Sequence, residues 1–491
     1  MRRALAVASI TAVLLLNVGT LASAASPPTR VGITHPTWWA KYLAVSSPSF
    51  RSSIGTSVAS VNVGTNVDVS NEEGPQSETS IAIDPSDPSR LVAGSNEIAR
   101  LPMRGYFSSD GGDTWGGVDL PLPPPINANG FDFGSDPGVA WDTQGNVFYS
   151  YIVVFFSPTG RITGSEVAVA RSGDGGRTWT ATFFNRSGGH GKFNDKPMIT
   201  VDTNPSSPLR DTVYVAWDTT PIAPSGPSST GVKLSRSTDG GHTFSAPVDV
   251  SPTGGGQRFG IGADPFVAPD GTVHVAWEDI SINIEEASSS DGGASFGPAH
   301  VISPTNVPIA TVIPAQNSRG VLITPACGAD ASSGPDRGTL YCSWFDLNGA
   351  NGLDVFVSRS TDGGSTWDAP VVVNDDATGQ ANDQFFQWLA VDPTDGSVNL
   401  SWYDTRLDPT HVSTNVFYSR STDGGLTYEP NVQVTSAPTD ETAEGADLGN
   451  QYGDYEGIAA FGGVVHPVWT DRRASLPAAL NEEVFTATIV P

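Results

Sequence analysis

Seven equivalent positions in this chain could share one reaction centre. Several apolar segments end in an Asp: Asp84, Asp142, Asp202, Asp270 and Asp392. Stepping back six residues from each reaches Glu78, Asp136, Lys196, Asp264 and Phe386. Two more segments lack a matching Asp, and alignment on their apolar residues gives Ser318 and Tyr455. One residue earlier stand Ser77, Ser135, Asp195, Ala263, Asn317, Phe385 and Asp454. Carboxyl, ammonium and phenol groups in register are the ingredients of acid–base and nucleophilic chemistry. The plainer reading is that Glu78, Asp136 and Asp264 cap strand entries, helped by Pro137 and Pro265. Arg236, Arg359 and Arg420 belong to a recurring Ser-Arg-Ser phrase, whereas Arg406, Arg472, Arg258, Arg319 and Arg104 do not. The latter are candidates for holding a carboxylate by two-pronged hydrogen bonding.

What places these residues is a repeat. Ser-x-Asp-Gly-Gly-x-Thr-Trp, or a close variant, occurs six times, centred on Asp110, Asp174, Asp239, Asp291, Asp362 and Asp423. The intervals run from 52 to 71 residues, the size of one supersecondary unit. Each unit reads as an apolar strand, a turn, an alternating strand, a third strand, the Asp-Gly-Gly turn and a fourth strand. That order describes a blade of a β-propeller. The first-strand pattern occurs seven times, but the last unit lacks the turn and a fourth strand. The segment Val61–Val69 resembles a fourth strand and is expected to complete that blade, leaving no open sheet edge. The expectation is an all-β fold, a seven-bladed propeller, with six blades as the runner-up.

The turn motif itself reads as structural. Its Asp can accept backbone N–H bonds across a tight turn, its Gly pair supplies positive φ, and its final ring packs between sheets. First strands line a propeller's axis. Glu78, Asp136, Lys196, Asp264 and Tyr455 should therefore ring the mouth of the central channel, on the face opposite the Asp-Gly-Gly turns. Asp218, Glu278, Asp279, Asp346, Asp404 and Asp471 come to the same face from the second strands.

The remaining features bound the setting. Met1-Arg2-Arg3, an apolar run and Ala22-Ser23-Ala24 form a secretory signal over 1–24. Residues 25–57 do not follow the repeat, and 58–491 carry it. No later segment approaches a transmembrane helix, so a soluble, exported monomer without a membrane contact is expected. Cys327 and Cys342 fall in one repeat and read as a disulfide within a blade. The net charge of −27 argues against a nucleic-acid partner. The acid-rich ring could also hold a Ca²⁺ ion, although no contiguous Asp-x-Asp-x-Asp loop supports one. No other cofactor is expected.

The six in-phase turns resemble the Asp boxes, or BNR repeats, of the sialidases and related propellers. That resemblance implies an exo-acting glycoside hydrolase with a glycan substrate. In the family a Tyr assisted by a Glu is the nucleophile, an Asp is the acid/base, and an Arg trio grips a sugar carboxylate. Carried over, Tyr455, Glu78 and Asp136 would be catalytic. Arg406, Arg472 and Arg258 would bind the carboxylate, with Lys196, Asp195 and Asp264 beside the substrate. The family's Arg-Ile-Pro phrase is absent; Arg100-Leu101-Pro102 stands instead just before an Asp box. A different glycan, cleaved by Glu78 and Asp136 as an ordinary carboxylate pair, stands beside the sialidase reading. So does a non-catalytic secreted propeller that binds glycan or protein.

Overall fold

The computed structural model describes residues 66–125, 132–187, 193–220, 231–251, 260–279, 283–307, 311–377, 379–473, 476 and 481–491. The expected signal segment, the 25–57 extension and Arg258 lie outside these residues. The described chain forms seven four-stranded antiparallel sheets and one two-stranded hairpin. Six sheets use four consecutive strands, as in blade one: Gln76–Ile83, Leu91–Glu97, Arg104–Ser108 and Gly116–Asp119. The seventh takes Gly457–Phe461, Val464–Asp471 and Glu483–Thr486 from the C-terminal end. Its fourth strand is Val67–Asp68, paired antiparallel with Thr486 and Phe485. Seven blades and closure by the N-terminal strand are thus both observed; the Val61–Thr65 part of that segment lies outside the described residues.

The blades form because the strands alternate. The second strands Val213–Thr220, Val273–Asp279, Leu340–Leu347, Val398–Asp404 and Val464–Asp471 each bury a Trp at the same register. These rings pack between sheets, where burial of a large apolar surface drives association. Their indole N–H groups are not wasted: Trp402 donates to Asp404 at 3.0 Å and Trp469 to Asp471 at 2.9 Å.

The Asp-Gly-Gly turns stay outside this core. In the first, Asp110 accepts from the Thr114 amide at 3.0 Å and from the Ser108 hydroxyl at 2.8 Å, and both glycines have positive φ. The same set recurs at Asp174, Asp239, Asp291, Asp362 and Asp423. At Asp239 the Thr243 hydroxyl and amide pull the carboxyl down to about 2.

Two alignments made on sequence are corrected by the register. The backbone turn that starts at Asp84 starts at Ala268 in blade four and at Asp330 in blade five. Asp270 lies two residues too late to be its equivalent. Asp264 therefore leaves the ring: its carboxylate accepts from the Cys327 amide at 2.6 Å and ties blade four to blade five. Ser80 does the same at the equivalent place, accepting from Val139 at 3.1 Å. Ser318 and Asn317 also leave it, because Thr311–Ile313 and Gln316–Val321 form the extra hairpin, inserted ahead of blade five.

Cys327 and Cys342 face each other on the first two strands of blade five and are joined by a disulfide. Their sequence separation is 15. Replacing both by Ser should lower stability by up to about 3 kcal/mol through the freer unfolded chain, read as a lower urea midpoint. Removing residues 1–70 should cost more than stability. It bares the Glu483–Thr486 edge, so sedimentation should show concentration-dependent association.

Candidate functional site

The mouth of the axis is built by one device used five times. The first strand of blades one, two, three, four and six carries a bulge where pairing with the second strand skips. Its leading residue is Glu78, Asp136, Lys196, Gly262 or Phe386, each left-handed, with φ between 48° and 67°. Only glycine adopts that region freely; a side chain there costs roughly 1–2 kcal/mol. Bulges re-aim side chains out of the strand's normal alternation, and here they bring charged groups together. Thr324 and Tyr455 hold the equivalent places in blades five and seven, counted back from Asp330 and across the Val464–Asp471 register.

Glu78, Asp136, Lys196 and Tyr455 thus meet around the axis, with Asp195, Asp218, Asp454 and Arg319 among them. Each is at most 3% exposed. Lys196 Nζ lies 2.5 Å from Asp454 and 3.7 Å from Glu78, and 5.4 Å from the centre of the Tyr455 ring. Arg319 donates through Nε and Nη2 to the two oxygens of Asp454 at 2.9 and 2.8 Å. The same Nη2 is 3.4 Å from Glu78. Asn96 donates to Glu78 at 2.6 Å, and its carbonyl oxygen accepts from the Asp136 amide at 2.9 Å. The Tyr455 hydroxyl donates to the Pro137 carbonyl at 3.2 Å.

The acids do not titrate alike. Burial raises Glu78 to about 8, against the pull of Lys196. Burial raises Asp136 and Asp195 to about 7 each, and each lies close enough to the other to share a proton. Burial lifts Asp218 to about 8. Asp454 goes the other way: despite its burial, Arg319 and Lys196 hold it well below the usual carboxylate range. Burial disfavours the Lys196 cation, but Asp454 and Glu78 outweigh it and raise its pKa. The Tyr455 phenol is pushed well above 10 by burial, then by Glu78 and Asp136.

Arg406 and Arg472 are held elsewhere. Arg406 pairs with Asp404 and Asp375, each at 2.7 Å, and lies over Phe417. Arg472 donates to the Glu444 carbonyl at 2.7 Å and faces Glu482. None of these partners belongs to the ring. The arginine at the axis is Arg319, delivered by the inserted hairpin. That hairpin is clamped to blade seven: Gln451 Oε1 accepts from the Ser318 and Arg319 amides, and Gln316 donates to the Gly453 carbonyl at 3.0 Å. A sequence signal for it existed. The interval from Asp291 to Asp362, 71 residues, is the longest in the repeat. Asn96 left no such trace. Among the described residues no three His, Cys, Asp or Glu side chains are placed to hold a metal ion. The acids that could have served Ca²⁺ are met by Lys196 and Arg319 instead.

No protein-family model matches the chain. No curated protein matches it. Solved structures similar to it include the intramolecular trans-sialidase from Ruminococcus gnavus, 13% identical over 73% of this chain and 96% of that one, TM-score 0.46. Another is the NanB sialidase from Streptococcus pneumoniae, 10% identical over 74% and 69%, TM-score 0.45. A third is the α-L-arabinanase of Penicillium chrysogenum, 12% identical over 75% and 98%, TM-score 0.46.

Proposed function

We propose that the protein is an exported glycoside hydrolase working at the mouth of its propeller axis, with Asp136 as proton donor. The observation that carries this reading is the charge balance of the buried cluster. Lys196 and Arg319 supply two positive charges, and Asp454 answers one. Glu78, Asp136 and Asp195 then compete for the second, and their pKa values lie at about 8, 7 and 7. Near neutral pH such a site holds ionised and protonated carboxyls side by side, which is what general acid and general base require. Tyr455 stands beside them as the nucleophile, with Glu78 as the base that its raised phenol pKa demands. The Asp-box resemblance supplies the substrate class, a glycan, with a sialoside as its finer form. The disulfide supports export. Among the described residues no helix is long and apolar enough to cross a membrane.

One observation favours a second reading, a non-catalytic binding propeller: every member of the cluster is buried, and Lys196, Arg319, Glu78 and Asp454 meet one another. Turnover separates the two. Purified protein should hydrolyse at least one member of a panel of fluorogenic sialosides and other glycosides. Asp136→Asn should lower kcat by roughly 10²–10⁴-fold, and Tyr455→Phe should abolish turnover. Hydrolysis that survives both substitutions would reject these roles, and a silent panel would select the binding propeller.

The same cluster sets a pH dependence of stability. Burial raises the folded-state pKa of Asp136, Asp195, Asp218 and Glu78 above the unfolded value of about 4. The folded state therefore binds more protons than the unfolded one between about pH 4 and pH 8. The contribution of these four groups is full below that window and falls as pH rises through it, by up to about 1.4 kcal/mol per pH unit for each group. Tm should drop between pH 5 and pH 8, and Asp136→Asn should flatten the slope.

A further inference from the structure

A second feature lies on the opposite face, where the Asp-Gly-Gly turns are. Between blades four and five a cavity of about 480 Å³ is lined by Pro269, Asp270, Thr272, His274, Arg337 and Gly363, among others. That volume suits a small molecule. Its wall departs from the repeat at two facing positions. Where blade four has His274, the other blades have Val92, Phe148, Tyr214, Tyr341, Asn399 and His466. Where it has Glu286, blades two, three and five have Val169, Leu234 and Val357. Asn399 and Tyr418 hydrogen-bond across these positions in blade six, so they touch by geometry. Blade four alone fills them with an acid and an imidazole.

The pair is rigid and incomplete. His274 is 1% exposed and stacks on Phe266, with ring centroids 5.1 Å apart. Its Nδ1 meets Glu286 at 2.6 Å, while Nε2 makes no hydrogen bond among the described residues. Gly364 of the next blade closes over the pair: a Cβ there would come within 2.9 Å of Glu286 Oε2. Across the cavity, Arg337 is fixed through Nη1, which donates to the carbonyls of Ala331 and Ser332. Its Nε and Nη2 make no hydrogen bond among the described residues. A guanidinium held by one nitrogen and open at the others is pre-organised for a carboxylate.

We propose that this cavity binds a small hydroxylated carboxylate. The ligand's carboxylate sits between His274 Nε2–H and the free edge of Arg337, and its hydroxyls meet Asp270 and Thr272. In the bound state the imidazole faces a carboxylate at each nitrogen, Glu286 at Nδ1 and the ligand at Nε2. Asp270 makes the mouth unfavourable to a bare anion, so hydroxyls as well as charge are required.

The test is a titration of the full-length protein with glucuronate, glucose and inorganic phosphate, followed by NMR of ring-labelled histidines. The His274 resonances are assigned by their loss in His274→Gln. Glucuronate should shift them, glucose should not, and phosphate should act more weakly. Arg337 is exposed, and Arg337→Gln should weaken the glucuronate response about tenfold or more while leaving the spectrum of the free protein folded. No shift with glucuronate, an equal response in Arg337→Gln, or phosphate binding as well as glucuronate would overturn the proposal. None of these outcomes bears on hydrolysis at the axis, which Arg337→Gln should leave unchanged.

Discussion

A ring of sheets is free of open edges only if its last sheet finds a partner for its outer strand. Here that partner is the other end of the chain. Val67 and Asp68 pair with Thr486 and Phe485, and the Val69 amide continues the ladder to Val484. Ser70 then donates to Glu483 at 2.7 Å, and the Thr79 hydroxyl reaches the Val468 carbonyl at 2.8 Å. This closure sets blade seven against blade one. Without it Asp454 and Tyr455 would not stand beside Glu78, and Lys196 and Arg319 would lose the carboxylate they share.

The axis then concentrates two costs that a plain strand would avoid. Four side chains at the bulges are held left-handed, and a set of ionisable groups is removed from water. A buried charge with a missing partner is strongly destabilising, so the cluster is stable only as a set. Asp454 is the hinge of that balance, because Lys196 and Arg319 both reach it. The turns on the far face carry no such burden. Their Asp residues hold local amides and hydroxyls in the same way from blade to blade.

The architecture was legible because it is periodic. Six Asp-Gly-Gly turns and a seventh strand pattern counted the blades, and Val67–Asp68 filled the gap they left. The ring was legible at Glu78, Asp136, Lys196 and Tyr455, where the strand pattern keeps its phase. It failed at Asp264 and Ser318, for different reasons. Blade four has Ala268 where blades one, two, three, five and six have Asp, so Asp270 offered a false anchor two residues away. Blade five is preceded by a hairpin whose apolar residues imitate a first strand. Arg319 was visible as an arginine outside the repeat, but its reach across the axis depends on Gln451 and Gly453, far along the chain. Arg406 and Arg472 looked equally available, and local pairing with Asp404, Asp375 and the Glu444 carbonyl holds them in their own blades.

The inserted hairpin also dates the centre of the molecule. Arg319 is 241 residues from Glu78 and 135 from Asp454, and Lys196 is 258 from Asp454. A ribosome releases Glu78 long before Asp454. Blades one to six can each pair their own strands as they emerge, since those contacts are local. The crossing of Arg319 over the axis lacks its two-pronged acceptor, Asp454, until blade seven exists, and blade seven has no fourth strand until it returns to the N-terminal end. The axial cluster is therefore completed only with blade seven, and a chain cut short before Asp454 carries every earlier ring residue but not the carboxylate that Lys196 and Arg319 share.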